Sequence, residues 1–298
     1  MIKLGILDFD TSHVVEFSSR INHIDQPEDQ WVNGAKVVIA CTGGSKVSPE
    51  RIPMFTEKLK KFGIPIVDKP EDMIGKVDAM LIESMDGSVH VERTKPFLEA
   101  GIPCFVDKPF ACSSADAKAM IDLAAKKKAM IWSSSSLRYA PEIIAYMADE
   151  KHGPVQGCVA YGPGTEHDRN PGMFHYGTHT AEILYTVMGP GCDRVICTYE
   201  QGVTVATGHW KGGRVATARC FRNAKKIEYG FTAFAEQGVS HVTLGTTVIF
   251  RELMKKVIDS FKTGKPALDP LVTLEMVAFM EAANKSGANH SAPVAIKL

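Results

Sequence analysis

VDAMLIESMDGSVHVERTKPFLEAGIPCFV, residues 77–106, contains a strand, a helix and a second strand in direct succession. Residues 77–83 are short and apolar, residues 89–100 carry apolar positions near helical spacing and stop at Gly101, and residues 103–106 are apolar again. Short apolar runs on either side of an amphipathic helix are what a parallel sheet with crossover helices requires, because both faces of such a sheet are covered. The pattern extends in both directions. Residues 2–7, 36–41 and 129–133 read as further strands, and residues 14–24, 53–62 and 113–128 as further helices. Gly63 stands where a helix needs a left-handed terminus. Ser113 or Ser114 can cap the helix over 113–128, with Asp116 near its positive end and Lys126, Lys127 and Lys128 at its negative end.

Strands alternating with helices predict an α/β fold, here an N-terminal Rossmann-like parallel sheet over residues 1–137. Beyond residue 137 the texture changes. Residues 155–161, 194–199, 203–208, 214–221, 229–235 and 240–244 read as strands with Gly-rich turns such as Gly212-Gly213 between them, which suits a mostly antiparallel sheet. A helix over residues 175–188 lies among them, and two more, over 247–263 and 271–286, follow. Residues 138–298 are therefore expected to form a C-terminal α+β domain for substrate binding and oligomerisation.

Composition narrows the function classes. Lys plus Arg equals Asp plus Glu at 34 each, so no global field draws nucleic acid or an anionic membrane. The lysine clusters at 126–128 and 255–256 lack interleaved aromatics and read as solvated helix faces. No apolar stretch reaches membrane-span length, and the start of the chain lacks the pattern of a signal peptide. Seven cysteines without a CxxC pair predict reduced thiols and a cytoplasmic location.

In an open α/β sheet the loop after the first strand is the natural place for a dinucleotide phosphate. Here it reads Asp8-Phe9-Asp10-Thr11-Ser12-His13, with none of the glycines of G-x-G-x-x-G. On sequence alone, Phe9 is expected to obstruct the backbone's approach to pyrophosphate and the two aspartates to repel it. The loop after the second strand, Cys41-Thr42-Gly43-Gly44-Ser45, lacks the acidic residue that holds an adenosine ribose. With Lys46 it would suit a 2′-phosphate, so NAD and NADP both stay open. Gly63-Ile64-Pro65-Ile66-Val67-Asp68-Lys69-Pro70 is nearly repeated as Gly101-Ile102-Pro103-Cys104-Phe105-Val106-Asp107-Lys108-Pro109, so Asp-Lys-Pro by itself carries little information.

The wider run LIESMDGSVHVERTKPFLEAGIPCFVDKPFACSSADAKAMIDLA, residues 81–124, resembles the Gfo/Idh/MocA oxidoreductase family. Met85 to His90 fall on that family's T-P-x-x-x-H, keeping the histidine alone, and Asp107-Lys108-Pro109 fall on its E-K-P with aspartate for glutamate. The resemblance implies that Lys108 is the active-site lysine, beside nicotinamide and the substrate hydroxyl. It further implies a dinucleotide held by Asp8, Phe9, Thr11, Ser12, His13, Thr42, Gly43, Met85, His90, Asp107, Lys108, Pro109 and Arg138. His175-Tyr176-Gly177-Thr178-His179-Thr180-Ala181-Glu182 resembles the family's D-x-G-x-H-x-x-D. His179 is then the general base, Glu182 takes the second acidic position, and His175 replaces the first aspartate.

An alternative puts His175 and His179 four apart on one helix face, gripping a metal with help from Glu182, His167 or Asp168. The leading expectation is an NAD(P)-dependent oxidoreductase of a sugar, inositol or similar small molecule, forming a homo-oligomer through the C-terminal sheet. Lys108 would polarise the reacting oxygen, and His179 or His175 would move the proton. The rivals are a non-redox relative using a metal at the two histidines, and a non-catalytic sugar sensor.

Overall fold

In the computed structural model, which describes residues 1–224 and 226–298, the chain forms two compact units. The first comprises Met1–Ala111, Ala115–Ser134 and Phe250–Pro270, and the second Cys112–Ser114, Ser135–Ile249 and Leu271–Leu298. The main crossing, between Ser134 and Ser135, falls three residues before the expected cut at 137. A linear division nevertheless misplaces residues 250–270, which pack with the first unit. Their reason for doing so is apolar: Phe250 meets the rings of His13 and Phe17 at centroid distances of 4.9 and 5.8 Å.

The first unit contains β1 (Ile2–Leu7), α1 (His13–Asn22), β2 (Ala35–Cys41), α2 (Ile52–Lys61), β3 (Ile66–Val67), β4 (Ala79–Ile82), α3 (His90–Glu99), β5 (Cys104–Val106), most of α4 (Ser114–Lys127) and β6 (Ile131–Trp132). The six strands are parallel in the order β3-β2-β1-β4-β5-β6. Every residue of β4 and β5 is buried, which is why these strands read as unbroken apolar runs. Chain order reverses between β1 and β4, and loops after strands on either side of that point open a crevice at the carboxyl edge. Gly63 and Gly101 take φ of 73° and 76° just after α2 and α3, as their places in the near-repeat demand. The two copies then diverge: Lys69 follows β3 at the sheet edge and is exposed, whereas Lys108 follows the interior strand β5 and is half-buried.

In the second unit, α5 (Pro141–Ala148) precedes β7 (Val155–Pro163), α6 (Gly177–Met188) and β8 (Cys192–Glu200). The strands β9 (Val203–Trp210), β10 (Val215–Phe221), β11 (Gly230–Ala235) and β12 (Gly238–Thr243) follow. After α7 (Ile249–Thr263), nearly all of which belongs to the first unit, α8 (Pro270–Ala288) and β13 (Val294–Ala295) complete the fold. The seven-stranded order is β12-β11-β7-β10-β9-β8-β13. All pairings are antiparallel except β10 with β7, where Val215 faces Gly157 and Phe221 faces Pro163. Burial alternates along β9, the signature of a sheet with one covered face. Gly212 and Gly213, at φ of 85° and 87°, make the β9–β10 turn. The short elements α5 and β13 went unread in the sequence.

All seven cysteines are free thiols, and all but Cys112 are buried. Lys126, Lys127, Lys128, Lys255 and Lys256 are exposed on their helices, as solvated faces should be. Among the described residues no helix is long and apolar enough to cross a membrane.

Candidate active site

The carboxyl edge of the six-stranded sheet gathers the loops after β1, β2, β4 and β5. A groove of about 350 Å³ opens there, lined by Gly43, Ser45, Lys46, Ser84, Asp86 and Arg93 among others. The glycine-free loop is shaped differently from the sequence expectation. Phe9 is fully buried in the core, so its ring does not stand between the loop backbone and a ligand. Asp8 and Asp10 are fully buried too, and their carboxylates are engaged internally.

Asp8 takes φ of 72°, the left-handed turn that a glycine would otherwise supply and that aspartate tolerates better than most residues. Its Oδ2 accepts from Arg93 Nε at 3.1 Å. Arg93 also donates to the Gly43 carbonyl at 3.0 Å, tying the loops after β1 and β2 to α3. Gly43 itself has φ of 61°, and a Cβ there would fall 1.7 Å from Asp8 Oδ1. Burial pushes the Asp8 carboxyl up to about 7 against the pull of Arg93. Asp10 accepts from Met85 N at 2.9 Å and from Ser45 Oγ at 2.5 Å, bridging the loops after β4 and β2. Burial raises its pKa as well, opposed by the Ser45 hydrogen bond.

Thr11 is buried and accepts from His13 N through Oγ1, while Ser12 is exposed and its carbonyl starts the α1 hydrogen bonding. Thr42 is half-buried, and its carbonyl accepts from Gly44 N. His90, expected at the cofactor, is instead closed off. It is completely buried, with Nδ1 3.1 Å from the Phe110 carbonyl and Nε2 3.0 Å from the Ser84 carbonyl. Burial lowers its pKa, so the imidazole is a clasp between two loops rather than a ligand contact.

Lys108 is the second residue after β5 and precedes the buried Pro109 through a cis peptide bond. Its N–H donates to Asp107 Oδ1 at 2.8 Å. The other carboxylate oxygen, Oδ2, lies 2.6 Å from His13 Nδ1. Burial alone would push Asp107 upward, but His13 and the Lys108 ammonium outweigh it and hold the carboxyl below its usual value. Next to this pair stands Glu83, completely buried, with neither carboxylate oxygen hydrogen-bonded among the described residues. Burial first and Asp107 second raise its pKa well above that of an ordinary glutamate.

The second unit holds another polar cluster. His175 precedes α6, which starts at Gly177, so it and His179 do not share a helix face. His175 Nδ1 lies 3.4 Å from Asn170 Nδ2, and its ring lies 5.7 Å from that of His167. His179, in the first turn of α6, is set by Ser135 Oγ at 2.7 Å from its Nδ1 and by the Tyr229 ring at 5.5 Å. Glu182, one turn further, is buried; it accepts from Ser135 N at 3.1 Å and pairs with Arg138 Nε. Arg138, expected at the cofactor, is thus committed to Glu182 through that nitrogen. Among the described residues, the three-residue group whose ligand atoms lie close enough to hold a metal is His13, Glu83 and Asp107, not one built on His175 and His179.

Arg93 and Glu83 were not singled out in the sequence. A glutamate ending an apolar strand was the available signal for one. For the other it was an arginine one turn into the helix that follows.

Residues 20–135 match the model of an oxidoreductase family with an NAD-binding Rossmann fold, Gfo/Idh/MocA. Solved structures align over both units. The probable dehydrogenase from Thermotoga maritima superposes with a TM-score of 0.80 at 15% identity, over 99% of each chain. The myo-inositol dehydrogenase from Lactobacillus casei, in complex with NAD(H) and myo-inositol, gives 0.80 at 15%, covering 100% of this chain and 97% of that one. WlbA dehydrogenase from Bordetella pertussis, with NADH and UDP-GlcNAcA, gives 0.79 at 14%, covering 100% and 98%. At such identities the likeness establishes the shared fold.

Proposed function

We propose that the chain is an NAD-dependent dehydrogenase or reductase of a sugar, inositol or related polyhydroxylated molecule, of the Gfo/Idh/MocA type whose family model residues 20–135 match. The observation that carries this reading is the place of Lys108, at the same carboxyl sheet edge as the groove beside β2 and β4. The residues present fit a dinucleotide. The groove offers Lys46 and Arg93 as cations and Gly43 as close backbone, while Phe9, Asp8 and Asp10 are turned into the protein. Lys46 at the groove keeps NADP as a second acceptable cofactor. Thr42, Gly43 and Met85 are the members of the expected set on the loops that frame the groove.

When bound, nicotinamide accepts or supplies the hydride. The Lys108 ammonium would hold the oxygen of the reacting carbon and lend or take its proton. His179, oriented through Ser135, would move a proton at its imidazole, and Glu182 with Arg138 would fix the start of α6. His175 is left as a polar neighbour of Asn170 and His167. We further propose a homo-oligomer through the seven-stranded sheet, in the cytoplasm. Val215, Phe234 and Val239 are 43%, 44% and 55% exposed on its strands, as an apolar contact face would be.

The test is a titration of cofactor-stripped protein with NADH and NADPH by nicotinamide fluorescence and calorimetry. A screen of inositols and sugars would follow, with Lys108→Ala as control. Micromolar binding with Lys108-dependent turnover is expected. No binding up to millimolar cofactor would sink hydride transfer.

A further inference from the structure

We propose that His13, Glu83 and Asp107 form a binding site for one divalent transition-metal ion of the zinc, cobalt or manganese type. One ligand atom from each of the three lies within 4.8 Å of the others. They come from the start of α1 and from the positions directly after β4 and β5, so the fold itself brings them together.

Glu83 is 0% exposed, and neither of its oxygens accepts a hydrogen bond among the described residues. A carboxyl group placed so in a protein interior is costly unless something completes it. It faces the one imidazole and one carboxylate that already share a proton at 2.6 Å. A cation occupying that proton's place would satisfy all three groups together.

The remaining atoms are arranged as ligand supports. Asp107 Oδ1 accepts from Lys108 N, which leaves Oδ2 directed at His13 and orients the carboxylate. The His13 ring is wedged between Phe17 and Phe250, with both centroids 4.9 Å away. Such outer contacts fix first ligands and sharpen metal affinity. An ion about 2.1 Å from each of two ligands holds them about 3.3 Å apart. Binding therefore needs His13 and Asp107, now 2.6 Å apart, to open by less than an ångström and Glu83, within 4.8 Å of both, to close by no more than about 1.5 Å.

One imidazole and two carboxylates make a mixed nitrogen and oxygen set, which suits Zn²⁺, Mn²⁺ or Co²⁺ better than Ca²⁺ or Cu⁺. The neighbouring charge is divided: Asp8 and Asp10 favour a cation, while the Lys108 ammonium and the positive end of α1 oppose it. The carboxylates prevail in number. None of the three residues lines the groove beside β2 and β4, and occupancy of the site is read without cofactor.

The experiment uses the full chain, stripped with a chelator and dialysed against Co²⁺, with metal analysis and visible spectroscopy. One equivalent bound at micromolar Co²⁺ is expected, with d–d bands and no thiolate charge-transfer absorption. Glu83→Gln keeps the shape and loses the anionic ligand, and should weaken binding by about tenfold or more, judged against the 10–100-fold range for metal-site changes. His13→Ala should do likewise; it begins a helix at a half-buried position and serves if the buried Glu83 variant does not fold. Failure to retain Co²⁺ at 100-fold excess would overturn the proposal. So would thiolate bands, or unchanged binding in both variants. NADH binding measured on the same stripped protein tests the dehydrogenase reading independently.

Discussion

Replacing Asp8 by asparagine should remove a pH dependence from the stability of the first unit. Asp8 is fully buried, and its carboxyl is pushed from 3.8 to about 7 by burial, with Asp10 adding to the rise and Arg93 opposing it. Between about pH 4 and pH 7 the folded state therefore binds more protons at this site than the unfolded state does. Stability must fall as pH rises through that window and level off above it. Roughly three pKa units at 1.36 kcal/mol each make the loss about 4 kcal/mol at full ionisation. Asparagine keeps the shape and the left-handed backbone at φ 72° but cannot ionise. It also deprives Arg93 of its buried charge partner, leaving it the exposed Glu92, a cost that offsets the whole curve without giving it this slope. The assay is urea unfolding of both proteins from pH 5 to pH 8. The wild type should lose about 2–3 kcal/mol relative to Asp8→Asn across this range, most of it between pH 5 and 6.5, with the curve flattening through pH 7. Parallel curves would refute the reasoning, because they would mean Asp8 ionises at an ordinary carboxylate pKa despite its burial.

Three further outcomes are expected. Gly43→Ala puts a Cβ 1.7 Å from Asp8 Oδ1 and a side chain at φ 61°, so it should cost at least about 1–2 kcal/mol from backbone handedness alone and weaken NADH binding; urea midpoints and fluorescence titration report both. Glu182→Gln breaks a buried pair with Arg138 and should destabilise the second unit by about 3 kcal/mol, seen as an earlier melting transition. Lys108→Ala should abolish turnover while leaving NADH affinity within a few-fold, since the Asp107 contact comes from the Lys108 backbone N–H and survives the change.

The parallel sheet was legible because its strands are mostly buried, β4, β5 and β6 wholly so, and its crossover helices are amphipathic, so apolar run length and spacing carry the order. The seven-stranded sheet was legible as strands and turns, but not its one parallel pair. Nothing in residues 155–163 or 215–221 encodes which neighbour they choose, since period-2 burial looks the same in either direction. The assignment of residues 250–270 was hidden for a related reason. An amphipathic helix announces that it buries a face, not which core receives it, and Phe250 settles the matter only by meeting His13 and Phe17. His175 and His179 were read as one helix face because their spacing permits it; the helix begins two residues too late.

The glycine-free loop shows where motif reading and physical demand part company. A dinucleotide loop needs a left-handed turn, an unobstructed backbone and no exposed anion, and glycines are one way to meet those needs. Here Asp8 supplies the turn at φ 72°, and its charge is countered by burial and Arg93. Phe9 meets the second need by pointing into the core, where its ring adds apolar contact that no glycine provides. Asp10 meets the third by spending its carboxylate on Met85 N and Ser45 Oγ, which also locks the loops after β2 and β4. The consequence is a rim more rigid than a glycine loop but dependent on a chain of buried charges. Glu83, whose carboxylate oxygens have no hydrogen-bond partner among the described residues, is the exception among them, and it favours a divalent ion there rather than at the histidines whose spacing first suggested one.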